Sequence, residues 1–425
     1  MKSTMTAAAM LLAGAAFATS PAEAQQNYGA QAAPQQSIPQ PQEQAENQNA
    51  IKTHTPKISS GAAKQIQALQ TAVNAKNAAT IPAALAAAQA AAKTNDDRYI
   101  IGILQLKAGA AASDKAQIAA GIEAMLASGS VTPDEKFPLY LNLAQLYDAL
   151  NQDARAEQNY SQALQINPSS VEATAGLAEA KAGQGQAAEA IALLEKGIAL
   201  QSAGGSRAPE TWYKRAVAIA YKAKLPQAVD LGREWVRAYP TTDSWQNALA
   251  IYQLGVQLDE NQTLDLMRLK RAAGALQPSD YFNYGDIAVR KGFAGEAKSV
   301  LEQGFGANLI KRADPSFSQL YGIATTKTKG DLESLPAAPA AAATSKATLN
   351  TGDAYFGYAK YDKAVEFYRA ALSKPGADAN LVNLHLGMAL ALQGDKAGAT
   401  AALNAVGGTE AALAQYWLLY ASTKA

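Results

Sequence analysis

The sequence predicts an all-α protein, a stacked array of antiparallel helix pairs behind a disordered N-terminal segment. Three observations predict it. Apolar residues recur three and four apart from about residue 61 onward, and alternating strand patterns are scarce. Gly, Pro, Asn and Asp punctuate the pattern every 12 to 20 residues, which suits helical hairpins. A fixed interval also returns along the chain, with two small residues twelve positions apart.

The chain opens with features of a signal peptide over residues 1–24. Lys2 supplies a positive start, and "AAAMLLAGAAFA" (7–18) is an apolar run of h-region length. Ala22 and Ala24 occupy the positions a signal peptidase reads, so cleavage is expected after Ala24. The run is shorter than the roughly 20 apolar residues a bilayer requires. No cysteine follows it, so no lipid anchor is expected. The expectation is an exported, periplasmic protein that does not span a membrane after cleavage. Residues 25–60 are rich in Gln, Pro, Asn and Ala and too poor in apolar residues to offset the entropy of ordering, so disorder is expected there.

Residues 61–128 form Ala-rich hairpins of suitable length, "IQALQTAVNAKNAATIPAALAAAQAA" and "RYIIGILQLKAGAAASDKAQIAAGIEAML". From residue 137 the landmarks sharpen. The pairs Ala144/Ala156, Ala178/Ala190, Ala216/Ala228, Gly285/Ala297, Gly352/Ala364 and Gly387/Ala399 are each twelve apart. Pro168 and Pro240 lie twelve beyond Ala156 and Ala228. Aromatic residues such as Tyr147, Tyr160, Trp212, Trp235, Tyr281, Tyr355 and Tyr368 fill the positions between. Small side chains at these points let two helix backbones cross closely, and the aromatics fill the space around the crossing. Each hairpin then presents an apolar face that its neighbour covers.

This spacing resembles the tetratricopeptide repeat, a unit of about 34 residues with two helices, here termed A and B. The resemblance implies a right-handed superhelical solenoid. It is strong over 137–240 and 278–406 and weaker over 61–128. Over 242–277, Trp245, Leu249 and Tyr252 fit helix A, but "QTLDLMRLKRAAGAL" lacks the small residue of helix B. Residues 305–345 depart from the pattern and read as one helix, a break and an Ala-rich helix. The final segment, 409–422, reads as a lone helix covering the last repeat. An N-terminal array over 61–240 and a C-terminal one over 241–425 are expected.

Chemistry is sparsely represented. Cysteine is absent, which removes thiolate metal sites, disulfides and Cys nucleophiles. His54 and His385 are the only histidines, too few for a His-rich metal site. Lys+Arg 37 against Asp+Glu 36 gives a net charge of +1, with no general attraction for nucleic acid. The cluster Arg268, Lys270, Arg271 reads as a solvated helix face. "GQGQAA" (183–188) superficially suggests a phosphate loop, but no strand precedes it and it falls at an A–B turn. No enzyme activity, metal or cofactor is expected.

The binding signal is better. The resemblance places helix A positions 2, 5, 6, 9, 12 and 13 on the concave side. Position 6 is Asn four times, at Asn142, Asn247, Asn283 and Asn350. A primary amide offers both a donor and an acceptor to a peptide backbone. Neighbouring positions carry Gln145, Tyr213, Tyr221, Phe282, Asp286 and Asp353, with Asp148, Glu172, Glu179, Lys214 and Arg290 beside them. His385 reads as a solvated member of the same face. No repeat has Lys at position 5, so an extended peptide is expected rather than a free C-terminal carboxylate. The expected function is a non-catalytic scaffold for envelope proteins or peptides. The alternative is an accessory subunit of a polysaccharide export or synthesis complex or of outer-membrane assembly.

Overall fold

The structure, a computed structural model, describes residues 55–423. The expected signal peptide and residues 25–54 of the Gln/Pro-rich stretch lie outside the described residues. Among the described residues there are 21 α-helices and no strand. The all-α expectation holds, and no described helix is long and apolar enough to cross a membrane. The chain divides into two compact units between Ala208 and Pro209.

The first unit contains α1 (Ala63–Asn74), α2 (Ile81–Ala91), α3 (Asn95–Ala112), α4 (Lys115–Ala127), α5 (Pro133–Asp148), α6 (Asp153–Ile166), α7 (Val171–Gly183) and α8 (Ala187–Ala203). Residues 55–60, the end of the stretch expected to be disordered, are held in place. The Lys57 amide donates to Asp96 Oδ2 at 2.8 Å, and the Ser59 amide and hydroxyl donate to Asp97 at 2.8 and 2.7 Å. The amides of Lys93 and Thr94 donate to the same Asp97 carboxylate. Burial works to raise the pKa of Asp97, but these donors outweigh it and hold the carboxyl well below its usual range. Side-chain caps start the later helices, including Thr94 on α3, Asp114 on α4 and Ser170 on α7.

The crossings in this unit follow the small residues. Ala144 and Ala156 at α5–α6, and Ala178 and Ala190 at α7–α8, are completely buried. The α3–α4 pair, which lacks landmarks in the sequence, uses glycine instead. A Cβ on Gly109 would sit 2.6 Å from the Ile118 backbone nitrogen, and one on Gly121 2.5 Å from that of Leu106. The "GQGQAA" stretch is an A–B turn as expected, with Gly185 at φ 78°.

The second unit contains α9 (Glu210–Lys222), α10 (Ala228–Ala238), α11 (Thr242–Gly255), α12 (Glu260–Ala272), α13 (Pro278–Arg290), α14 (Ala294–Gly306), α15 (Pro315–Lys327), α16 (Asp331–Ser334), α17 (Ser345–Gly357), α18 (Tyr361–Leu372), α19 (Ala379–Gln393), α20 (Lys396–Asn404) and α21 (Ala411–Thr423). Ala228, Ala297, Ala364 and Ala399 are all buried. Across the α17–α18 and α19–α20 pairs, a Cβ on Gly352 would meet Tyr368 at 2.6 Å and one on Gly387 would meet Leu403 at 2.4 Å.

Three features of this unit depart from the sequence reading. First, α12 is buried, with Arg268 2 % and Lys270 5 % exposed, so these two cations are not solvated surface. The reason is packing on every side of α12, where Leu264, Leu266, Met267 and Leu269 are buried beside the charges. Second, the Ala-rich part of 305–345 is not an α-helix. It forms one turn of 3-10 helix at Pro339–Ala341, because Pro336 and Pro339 remove backbone donors that an α-helix would use. Third, α21 covers α19 and α20 but also reaches the start of the unit. Its Tyr416 hydroxyl donates to the carbonyls of Val229 (3.1 Å) and Ala248 (3.3 Å), and the ring meets Trp245 and Tyr252. Helices α11, α12 and α17–α21 therefore share one core.

Candidate functional site

Two of the ten candidate groove residues, Asn142 and Gln145, lie in the first unit on α5. Asn142 is half-buried, and Gln145 Nε2 donates to Glu172 Oε1 on α7 at 2.6 Å. Asp148, one turn further on α5, accepts from the Tyr160 hydroxyl at 2.5 Å. The Tyr160 ring lies where a Cβ on Gly176 would be, so this repeat contact depends on a glycine. The resulting face carries Asp148, Glu172 and Glu179. Burial pushes the Asp148 carboxyl up to about 6, helped by the charges of Asp153 and Glu179 and opposed by the Tyr160 hydrogen bond.

That shift has a sign. A carboxyl whose folded pKa is raised holds its proton in the folded state while the unfolded chain has released it. Stability is therefore greatest below the ordinary carboxylate range and falls as pH rises towards about 6. An Asp148→Asn variant is expected to lack that decline and to be more stable than wild type at pH 7 by about 1 kcal/mol after solvent screening. Thermal melting of both proteins from pH 4 to pH 8 checks it. Parallel curves would show that Asp148 is not the titrating group.

The other eight candidates lie in the second unit. Tyr213 on α9 is half-buried edge-on to Tyr239, with ring centroids 5.8 Å apart, while Tyr221 is 42 % exposed. Asn247 on α11 is exposed, and its amide donates to the Asp243 carbonyl (2.8 Å) and carboxylate (3.0 Å). Asn283 on α13 and Asn350 on α17 are exposed. Phe282 is 41 % exposed and meets Phe317 of α15 edge-on at 5.8 Å, so it fills the gap between successive A helices. Asp286 pairs with Arg290 at 2.9 Å within α13.

Asp353 is corrected: it is 5 % exposed and does not line an open groove. His385, read as solvated, is also 5 % exposed. Both belong to a buried ionic network that the sequence did not reveal. Arg268 of α12 makes two parallel 2.9 Å hydrogen bonds to Glu296 of α14, through Nε and Nη2. Its Nη1 lies 3.0 Å from Asp265 and 3.7 Å from Asp353 of α17. His385 of α19 stands between two carboxylates, with Nε2 3.1 Å from Asp265 Oδ2 and Nδ1 2.7 Å from Asp353 Oδ1, the latter outside hydrogen-bond geometry. Tyr284 and Tyr368 donate their hydroxyls to Glu296 and Asp353 at 2.7 and 2.8 Å.

Burial alone would lower the His385 pKa, but Asp265 and Asp353 outweigh it and bring it up to about 10. The ring is thus a cation at neutral pH, giving two cations against three carboxylates. A histidine between carboxylates has the chemistry of a general base. Here every charged member is 5 % exposed or less, so the network presents no atom to a ligand. Its effect is to join α12, α14, α17 and α19, and it covers with α12 the faces of α17 and α19 that carry Asp353 and His385.

Similarity to known proteins agrees with the spacing. Two models described as tetratricopeptide repeat match residues 137–170 and 154–202. No curated protein matches the chain. Among solved structures, similarity extends to YrrB, described as a TPR protein with an unusual peptide-binding site. That match has 16% identity and a TM-score of 0.21 and covers 58% of this chain and 89% of that one. A tetratricopeptide repeat protein from Parabacteroides merdae ATCC 43184 has 12% identity and a TM-score of 0.28, covering 78% of this chain and 100% of that one. The matched residues contain the crossings of α5 with α6 and α7 with α8, and over residues 137–202 the chain is similar to tetratricopeptide repeats.

Proposed function

We propose that this protein is a non-catalytic adaptor exported to the periplasm, where it holds envelope proteins or peptides on the surfaces of its A helices. Tetratricopeptide repeats are protein–protein interaction scaffolds, and that coarser role rests on the matched repeats. The finer reading is supported chiefly by one observation. Asn247, Asn283 and Asn350 occupy corresponding helix positions, are exposed, and make no hydrogen bond to another helix among the described residues. Amides at the same helix position, those of Asn283 and Asn350 with no hydrogen bond among the described residues, suit the repeating donors and acceptors of an extended backbone. In the first unit, Asn142 shares α5 with Gln145, which reaches Glu172, and with Asp148, and such acidic residues suit a segment carrying Lys or Arg.

Capture from an envelope extract tests the reading. Wild type is expected to retain one or more envelope proteins. A variant with Asn142, Asn247, Asn283 and Asn350 all changed to Ala is expected to lose them while melting at an unchanged temperature. Retention of the same proteins by that variant would overturn the assignment of the asparagines.

A further inference from the structure

Helix α15 is the A helix of a repeat whose B helix is missing. Its Ser318, Gly322 and Thr325 have the spacing of Tyr281, Gly285 and Ala288 on α13. On α13 those three residues are buried against α14. On α15 Ser318 and Gly322 are exposed, Thr325 is half-buried, and a Cβ on Gly322 would meet nothing within 4 Å. The opposite side of α15 is satisfied, because Leu320 and Ala324 are buried in the core of α13 and α14.

The chain begins the missing helix and then abandons it. Ser334 lies twelve residues beyond Gly322, as Ala297 lies twelve beyond Gly285, and α16 forms a single turn there. Pro336 follows and cannot continue a helix that has only just started. The turn is also diverted. Leu332 and Leu335 pack with the core of α17–α21, and the Tyr358 hydroxyl donates to Asp331 at 2.7 Å. The flank of α15 formed by Ser318, Gln319, Gly322, Ile323 and Thr326 is left uncovered, with Ile323 39 % exposed.

Charge indicates what covers it. Lys311, Arg312, Lys327 and Lys329 border α15 and are all exposed, against the single acid Asp314 between residues 311 and 329. None of these four cations forms an ion pair with a described carboxylate, and Arg312 instead stacks on Tyr321 at 4.3 Å. We propose that the uncovered flank of α15 docks an amphipathic helix of a protein partner, one with acidic residues beside a seam of small and apolar ones, which supplies the absent half of the repeat. The glycine at the crossing permits close helix approach, and the basic border selects the partner and orients it. This surface carries none of the four asparagines, and the proposal does not depend on them.

The test uses a synthetic, fluorescently labelled helix with the sequence of residues 361–373 in which Lys363 and Arg369 are replaced by Glu. It carries the small residues of a B helix and an acidic surface. Saturable binding to the full protein is expected, weaker at higher salt. A Gly322→Leu variant fills the crossing, and a Lys327→Glu/Lys329→Glu variant reverses the border. Each is expected to weaken binding at least about tenfold. Both changes lie on exposed positions, so folding is expected to persist, with melting as the control. No saturable binding to wild type, or binding that neither variant changes, would overturn the proposal. Self-association of the protein that Gly322→Leu abolishes would also overturn it, since the flank would then serve a second copy.

Discussion

An Arg268→Met variant is expected to lose about 3–5 kcal/mol, the cost of breaking a buried ion pair by removing one partner. Domain stabilities are about 5–15 kcal/mol, so the second unit would approach its unfolding threshold. The size of the effect follows from what the arginine leaves behind. Asp265, Glu296 and Asp353 would remain buried with His385 as the sole cation of the network. Lysine is not expected to rescue, because the two parallel bonds to Glu296 require a planar guanidinium. Arg268→Met combined with Glu296→Met removes a cation and an anion together and is expected to recover part of the loss. Denaturant unfolding of the three variants reads this out. If Arg268→Met is as stable as wild type, the network contributes nothing to the fold.

The same network gives wild type an alkaline weakness. The His385 pKa rises in the folded state from 6.5 to about 10, so the folded protein binds a proton that the unfolded chain has lost across that interval. The stabilisation is complete below pH 6.5 and declines as pH approaches 10. Removing His385 removes this dependence together with the stability it carries.

What was legible in the sequence was the part governed by local geometry. Two small residues twelve apart need only one hairpin to have meaning, and the alanines and glycines so identified are buried at the crossings. The surface positions of Asn247, Asn283 and Asn350 were legible for the same reason, since they follow from phase within one helix. Residues whose environment is made by distant segments were not legible. Asp265 and His385 lie 120 residues apart and meet only because α12 packs on α19. In "QTLDLMRLKRAAGAL" charged and apolar residues alternate around the whole helix, which reads as a partly solvated surface unless opposite charges are known to face it. Residues 337–343 show the complementary failure. Alanine content favours helix, but two prolines at 336 and 339 cost more than the alanines contribute.

A Gly121→Ala variant is expected to destabilise the first unit by about 2 kcal/mol, although alanine is the better helix former by about 1 kcal/mol. The new methyl would sit 2.5 Å from the Leu106 nitrogen and 2.8 Å from both the Gly102 carbonyl oxygen and the Leu106 Cα. All three are backbone atoms, so no side chain can rotate away and the helices themselves must separate. Separation would also pull apart the contacts of Ile118, Ile122 and Met125, which are buried in the same unit. Gly322→Ala provides the opposite case within the same chain. It too lies inside a helix, but its added Cβ meets nothing within 4 Å, so only the propensity gain remains and stability should rise. Melting of the two variants beside wild type should therefore show shifts of opposite sign. A gain at both positions would mean that α3 and α4 do not approach closely enough to require glycine, and the close-crossing account of the weak repeats would fail there.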